Sequence, residues 1–193
     1  MDLLETYRRS VAEFIERIGQ VGPEQWSDPT PCSDWDVRTL VNHVVVEERW
    51  MVPLLAGEGV ESVGHRFDGD QLGADPAGTA REAAQRAVDA VSVPGALGRT
   101  VPLSAGDTPV PEYVRQLVAE HLVHSWDLAV AIGADPRLDA GAVRECADWF
   151  ADRMADYRQG NLIHARVDVP ADADEQDHLI AGFGRDPDWS PPG

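Results

Sequence analysis

Residues 111–133 read PEYVRQLVAEHLVHSWDLAVAIG. Val114, Leu117, Leu128 and Ile132 recur at helical spacing, and Gly133 is a ready C-terminal stop, so the stretch predicts one long helix from about Pro111 to Ile132. A polar stripe of Glu120, His124 and Asp127 runs along the edge of its apolar arc, and His121 lies nearer the middle of that arc. A helix that carries acids and imidazoles beside its buried face belongs in a bundle, with those groups turned toward a neighbour.

Four more helices follow from the same pattern. Leu4, Tyr7, Val11, Phe14, Ile15 and Ile18 mark a first amphipathic helix over 2–19. A Pro-rich connection precedes a second, for which Ser33 followed by Asp36 suggests an N-cap at Ser33. Its apolar face is Val37, Leu40, Val41, Val44 and Met51, and Gly57 and Gly59 close it. Asp75 then caps an Ala-rich third helix with Pro76 in its first turn, running to about Val91. The fifth starts at Asp139 and carries Val143, Cys146, Ala147, Phe150 and Met154.

Between these, residues 58–75 read as loop and 93–109 as a small hairpin or irregular excursion. In the tail, LIHARVDVP suits an extended stretch and DADEQDHLIAGFG a short helix. The expected fold class is all-α, a helical bundle over 1–160 with a C-terminal extension over 161–193 packed on it.

The 193 residues carry 16 cations, all Arg, against 34 acids, for a net charge of −18. Such a surface repels phosphate backbones and anionic headgroups, which argues against nucleic acid and membrane surfaces as partners. No apolar run is long enough to cross a bilayer, and the charged start MDLLETYRRSVAEF is unlike a signal peptide. Cys32 and Cys146 are isolated thiols, neither a disulfide framework nor a four-cysteine zinc site. The expectation is a cytoplasmic protein. A homodimer is compatible with the sequence, which does not fix the oligomeric state.

Residues four apart on a helix differ by roughly 40° in azimuth and about 6 Å in height. Glu120 and His124 have that spacing and can meet on one ion, with Asp127 three residues further on the same side. On the second helix His43 shares a face with Leu40, Val44 and Glu47, toward the bundle interior. Two imidazoles and a carboxylate suit Zn, Ni or Fe(II) and leave positions open for water or substrate. His43, His121 and His124 form an alternative triad. Hydrogen-bonded core histidines explain the same residues without a metal.

Cys32 lies just before a helix N-terminus, where a thiol pKa falls, yet Pro31, Cys32 and Trp35 also read as packing around the start of a helix. Cys146 falls on an apolar face. Of the six tryptophans, Trp126 stands beside the polar stripe. The Asp-rich tail does not match a calcium loop, and no phosphate-cradling Gly-rich loop or nucleophile elbow occurs.

TPCSDWDVRTLVNHVV at 30–45 and LVHSWDLAVAIG at 122–133 resemble the DinB/YfiT-like superfamily, in particular the branch that includes the N-terminal domain of mycothiol-dependent maleylpyruvate isomerase. DEQDHLIAGFGRDPDW at 174–189 resembles the end of a related group of small proteins from mycothiol-producing bacteria. The resemblance implies a four-helix bundle with a long crossover. It also implies a divalent metal held by His43 and by Glu120 and His124. Three residues beyond His124 on the same side, Asp127 is expected to orient a ligand or a bound water behind them.

By the same resemblance, the metal lowers the pKa of a low-molecular-weight thiol such as mycothiol for transfer to, or isomerisation of, a small electrophile. The isomerase draws a catalytic Arg from a separate domain; about thirty residues follow the fifth helix here, and Arg185 is the stand-in they offer. Two other functions fit the residues. One is a hydrolase with a metal-bound water and Glu47 or Asp127 as base; the other is a non-catalytic small-ligand-binding protein.

Overall fold

A computed structural model describes residues 2–104, 106–160 and 163–191, except for the side chain of residue 156. Four long helices form the body: α1 (Leu3–Ile18), α2 (Val37–Ala56), α4 (Pro76–Val91) and α5 (Val110–Ile132). The fold is the expected all-α bundle. α1 packs on α5 and α4, and α2 packs on the same two helices, so α1 faces α2 across the bundle. The connectivity is therefore not a plain up-and-down series.

Local chemistry places the helix ends. The Asp75 carboxylate accepts from Gly78 N at 2.9 Å, and Pro76 occupies the first turn of α4, where its missing N–H is no loss. The buried face of α4 is Ala80, Ala83, Ala84 and Ala87, small enough for α2 to approach closely. Gly133 ends α5 at φ 71°, a left-handed turn that a side chain would strain. The start of α2 differs from the expectation. Asp36, not Ser33, is the N-cap, accepting from Thr39 N at 2.8 Å. Residues 32–35 are held out of the helix by a turn from Trp35 N to Cys32 O and by a bridge between Pro29 and Asp36. That turn aims the loop before α2 at the bundle wall.

The 58–75 connection contains a single helical turn, α3 (Val60–Val63). The 93–109 excursion is a hairpin of β1 (Thr100–Leu103) and β2 (Gly106–Pro109), antiparallel, with Val101 opposite Thr108; Ala105 lies outside the described residues. β2 runs directly into α5. After the body come α6 (Ala140–Ala151), capped by Asp139, then α7 (Met154–Gln159) and α8 (Glu175–Gly182). The expected fifth helix thus stops before Met154, which opens α7. Within LIHARVDVP, Leu162 lies outside the described residues, and 163–169 carry no regular strand.

α8 docks on α6. Phe183 stacks on Phe150 with ring centroids 4.0 Å apart, and the Gln176 side chain accepts from Leu138 N at 3.0 Å. Stacked pairs of this kind add about 0.5–1.5 kcal/mol beyond their buried area. No helix among the described residues is long and apolar enough to cross a membrane.

A polar cluster sits at the centre of the largely apolar bundle interior. His121 Nε2 meets Glu48 Oε1 at 2.5 Å, Tyr7 O–H donates to Glu48 Oε2 at 2.8 Å, and Ser10 Oγ lies 3.3 Å from His121 Nδ1. These residues join α1, α2 and α5 at the centre, each no more than 2% exposed.

Candidate metal centre

α2 and α5 lie side by side, which brings His43 and Glu47 opposite Glu120 and His124. His43 Nε2 is 3.1 Å from Glu120 Oε2, and His124 Nε2 is 3.0 Å from the same oxygen. The imidazoles of His43 and His124 stand edge to face, with centroids 5.2 Å apart. All three donor atoms lie within 4.8 Å of one another. Donors at about 2.0–2.1 Å from a tetrahedral ion stand roughly 3.3 Å apart. Both imidazole–carboxylate distances are within a few tenths of an ångström of that value, and the donor set suits a divalent cation.

His121, the alternative, is not part of this group. One residue on from Glu120 turns its side chain by roughly 100°, and the turn carries it to Glu48 and Ser10 in the bundle centre. His43 is half-buried at a cavity wall and not inside the bundle, its side chain 29% exposed.

Asp127 is fully buried behind His124, with Oδ2 2.9 Å from Nδ1. This leaves Nε2 aimed at Glu120 and His43, the arrangement by which carboxylates orient metal-binding imidazoles. Two residues that the sequence does not place here complete the surroundings. Arg185, from the turn after α8, donates to Asp127 Oδ2 from Nη2 at 3.1 Å and to Oδ1 from Nε at 3.3 Å. Cys32, from the loop before α2, lies 2.8 Å from Arg185 Nη2 and 3.7 Å from Asp127 Oδ2. Cys32, His124 and Asp127 form a second close set of donors. The Arg185 guanidinium already supplies the positive charge there, so this set has its cation built in.

The site's charges follow from these contacts. Burial raises the Glu120 pKa, but hydrogen bonds with His124 and His43 win and hold it well below the ordinary carboxylate range. Burial also opposes ionisation of Asp127, and Arg185 and His124 outweigh it. The Cys32 thiol is pushed up to about 12 by burial and by the Asp127 charge, against the pull of Arg185. It stays protonated at neutral pH.

For His124, burial disfavours the charged ring, but the bonds to Asp127 and Glu120 raise its pKa from 6.5 to about 9. Its contribution to the stability of the metal-free protein is fully present below pH 6.5 and is lost as pH rises through about 9. A cation must displace that proton. Titration calorimetry in buffers of different ionisation enthalpy is therefore expected to show about one proton released per ion bound at pH 7. Equal heats in all buffers would contradict it.

The triad opens on a cavity of about 1360 Å³. Trp35, its ring 4.7 Å from that of His43, lines it together with Trp50, Leu54, Tyr113, Tyr157, Phe183 and Arg185. Trp126 is core, 2% exposed, and does not line it. Cys146 is core as well.

Gly184 sets the position of Arg185. Its φ is +84°, and a Cβ there would sit 2.6 Å from His164 Cβ. Gly184→Ala is expected to destabilise the fold by roughly 1–3 kcal/mol in urea unfolding, since a side chain strains this backbone conformation. A change smaller than about 0.5 kcal/mol would show that the turn relaxes freely.

Two imidazoles and one carboxylate on a helical bundle, open to a large cavity, make a candidate metal site. The chain belongs to the mycothiol maleylpyruvate isomerase N-terminal domain family, whose profile matches residues 7–129. It is also 30% identical over 144 residues to two Mycobacterium tuberculosis proteins, the uncharacterized protein Rv0738 of strain H37Rv and the uncharacterized protein MT0763 of strain CDC 1551. Each match covers 72% of this chain and 72% of the relative. No solved structure matches the chain at a significant level.

Proposed function

We propose that this protein is a divalent-metal-dependent enzyme that activates a low-molecular-weight thiol, of the mycothiol type, for transfer to or isomerisation of a small electrophile. The observation that carries the reading is the convergence of His43 Nε2, Glu120 Oε2 and His124 Nε2, within 3.1 Å along each bonded pair, on the wall of a cavity of about 1360 Å³. The family adds the class of co-substrate, because its name is that of a mycothiol-dependent isomerase.

His43, Glu120 and His124 would hold the cation. A divalent ion there supplies the charge that stabilises a thiolate at neutral pH. Three protein donors leave room for an external ligand. Asp127 accepts the Nδ1 proton of His124 and keeps Nε2 directed at the site. Glu47 follows His43 by one helical turn, faces the cavity and has no hydrogen-bond partner among the described residues. Burial and the Glu120 charge raise its pKa. Its carboxylate is the group placed to take the proton an incoming thiol sheds. Trp35, Trp50, Leu54 and Tyr113 line the cavity and would contact the apolar part of an electrophile. Cys32 holds its proton and serves as a donor to Asp127.

The test is metal-stripped protein reloaded singly with Zn, Ni, Fe(II) or Mn, then assayed for loss of mycothiol against epoxides and haloarenes. The expected result is thiol consumption only with a bound ion. Turnover without thiol would instead identify a hydrolase, and failure to bind any of these ions would overturn the proposal.

A further inference from the structure

Three segments distant in sequence meet at one buried carboxylate. Asp127 receives His124 from its own helix and Arg185 from the turn after α8, and Arg185 in turn touches Cys32 from the loop before α2. Arg185 is 8% exposed, and its remaining nitrogen, Nη1, donates to Phe183 O at 3.1 Å. Every nitrogen of the guanidinium is engaged. With Nε and Nη2 both on Asp127, the group acts on the site through that carboxylate.

We propose that Arg185 is a positioning residue for the metal site, and that docking of the α8 segment and binding of the cation are coupled through the chain Arg185, Asp127, His124. The metal half of this inference rests on the function proposed above. A carboxylate held only through Oδ2, by His124 and the long thiol contact of Cys32, can swing about its Cβ–Cγ bond. The Arg185 fork, on both oxygens, fixes its plane, and a lysine ammonium cannot do so. A fixed Oδ2 holds the imidazole with Nε2 toward Glu120 at 3.0 Å. Because coupling is reciprocal, whatever docking contributes to cation affinity, the cation returns to docking. Arg185 lies beyond the 7–129 region that defines the family match.

The test uses the full chain with Arg185→Met, Arg185→Lys, and the double variant Arg185→Met with Asp127→Asn. The double variant removes both buried charges together and so preserves folding if the single change does not. Zn2+ affinity is read by competition with a chelator. The Nδ1–H signal of His124 is followed by nitrogen-15 NMR in metal-free protein, and amide exchange over 175–189 is followed with and without Zn2+. Arg185→Met and the double variant are expected to bind Zn2+ about 10- to 100-fold more weakly, with Arg185→Lys between them and wild type.

The His124 Nδ1–H signal should weaken or vanish in Arg185→Met. Zn2+ should slow exchange over 175–189 in the wild type only. Zn2+ affinity within about twofold of wild type, with the His124 signal intact, would overturn the inference and leave Arg185 a structural clamp. A wild type that binds no Zn2+ would overturn the proposed function instead. The positioning role would then stand on a His124 signal that depends on Arg185, and fall on one that does not.

Discussion

His124→Ala is expected to abolish cation binding and, with it, metal-dependent thiol consumption, while the protein stays folded. The substitution removes one of three converging donors and leaves Glu120 with His43 alone. Two donors on a bundle wall do not retain an ion that three hold with an open position. The fold should survive because Asp127 keeps Arg185 and Cys32 after losing the imidazole. The stability loss is that of a buried polar contact, about 1–3 kcal/mol. Elemental analysis after dialysis should find about one ion per wild-type chain and less than about a tenth of one per variant chain. A variant with full occupancy would remove His124 from the site.

His121→Leu, three residues away, is expected to do the opposite: unfold the protein readily and leave the metal site alone. Glu48 is 2% exposed, and its Oε1 lies 2.5 Å from the His121 ring. Without the imidazole, the carboxylate is left in the bundle centre with the Tyr7 hydroxyl as its remaining bond. Breaking a buried pair by removing one partner costs about 3–5 kcal/mol, and for a chain of this size that lowers Tm by roughly 6–20 °C. Adding Glu48→Gln should restore part of the loss, because the stranded carboxyl group goes with it. The folded fraction of His121→Leu should bind metal as the wild type does. A loss below about 1 kcal/mol would mean the pair is no stronger than one at the surface.

These two histidines mark what the sequence makes legible. The helix over 110–132, the caps at Asp75 and Asp139, and the small-residue face of α4 are local: periodicity, a carboxylate and a string of alanines suffice to place them. The N-cap of α2 is not. Ser33 and Asp36 both offer an acceptor, and the choice falls to Asp36 through a turn and a bridge that no spacing rule encodes. Likewise, spacing leaves Glu120 and His121 both within reach of His124, and the position of α1 beside α5 separates them, drawing His121 to Ser10.

The meeting of Cys32 and Arg185 joins residues 153 apart in sequence. Nothing local to either residue reports it. The available signal was compositional: an Arg just after a helix end, in a chain whose acids outnumber its cations by two to one. The hairpin and the α7–α8 segment, which wall the cavity, have no strong periodicity and so left the shape of the site unread.

Whether His43, Glu120 and His124 share one cation can be read from anomalous diffraction by crystals of metal-loaded protein. The expected result is a single peak at the metal edge, about 2.0–2.2 Å from His43 Nε2, Glu120 Oε2 and His124 Nε2. A peak displaced to Cys32 and Asp127, or no peak in protein shown to be folded and saturated with metal, would contradict it.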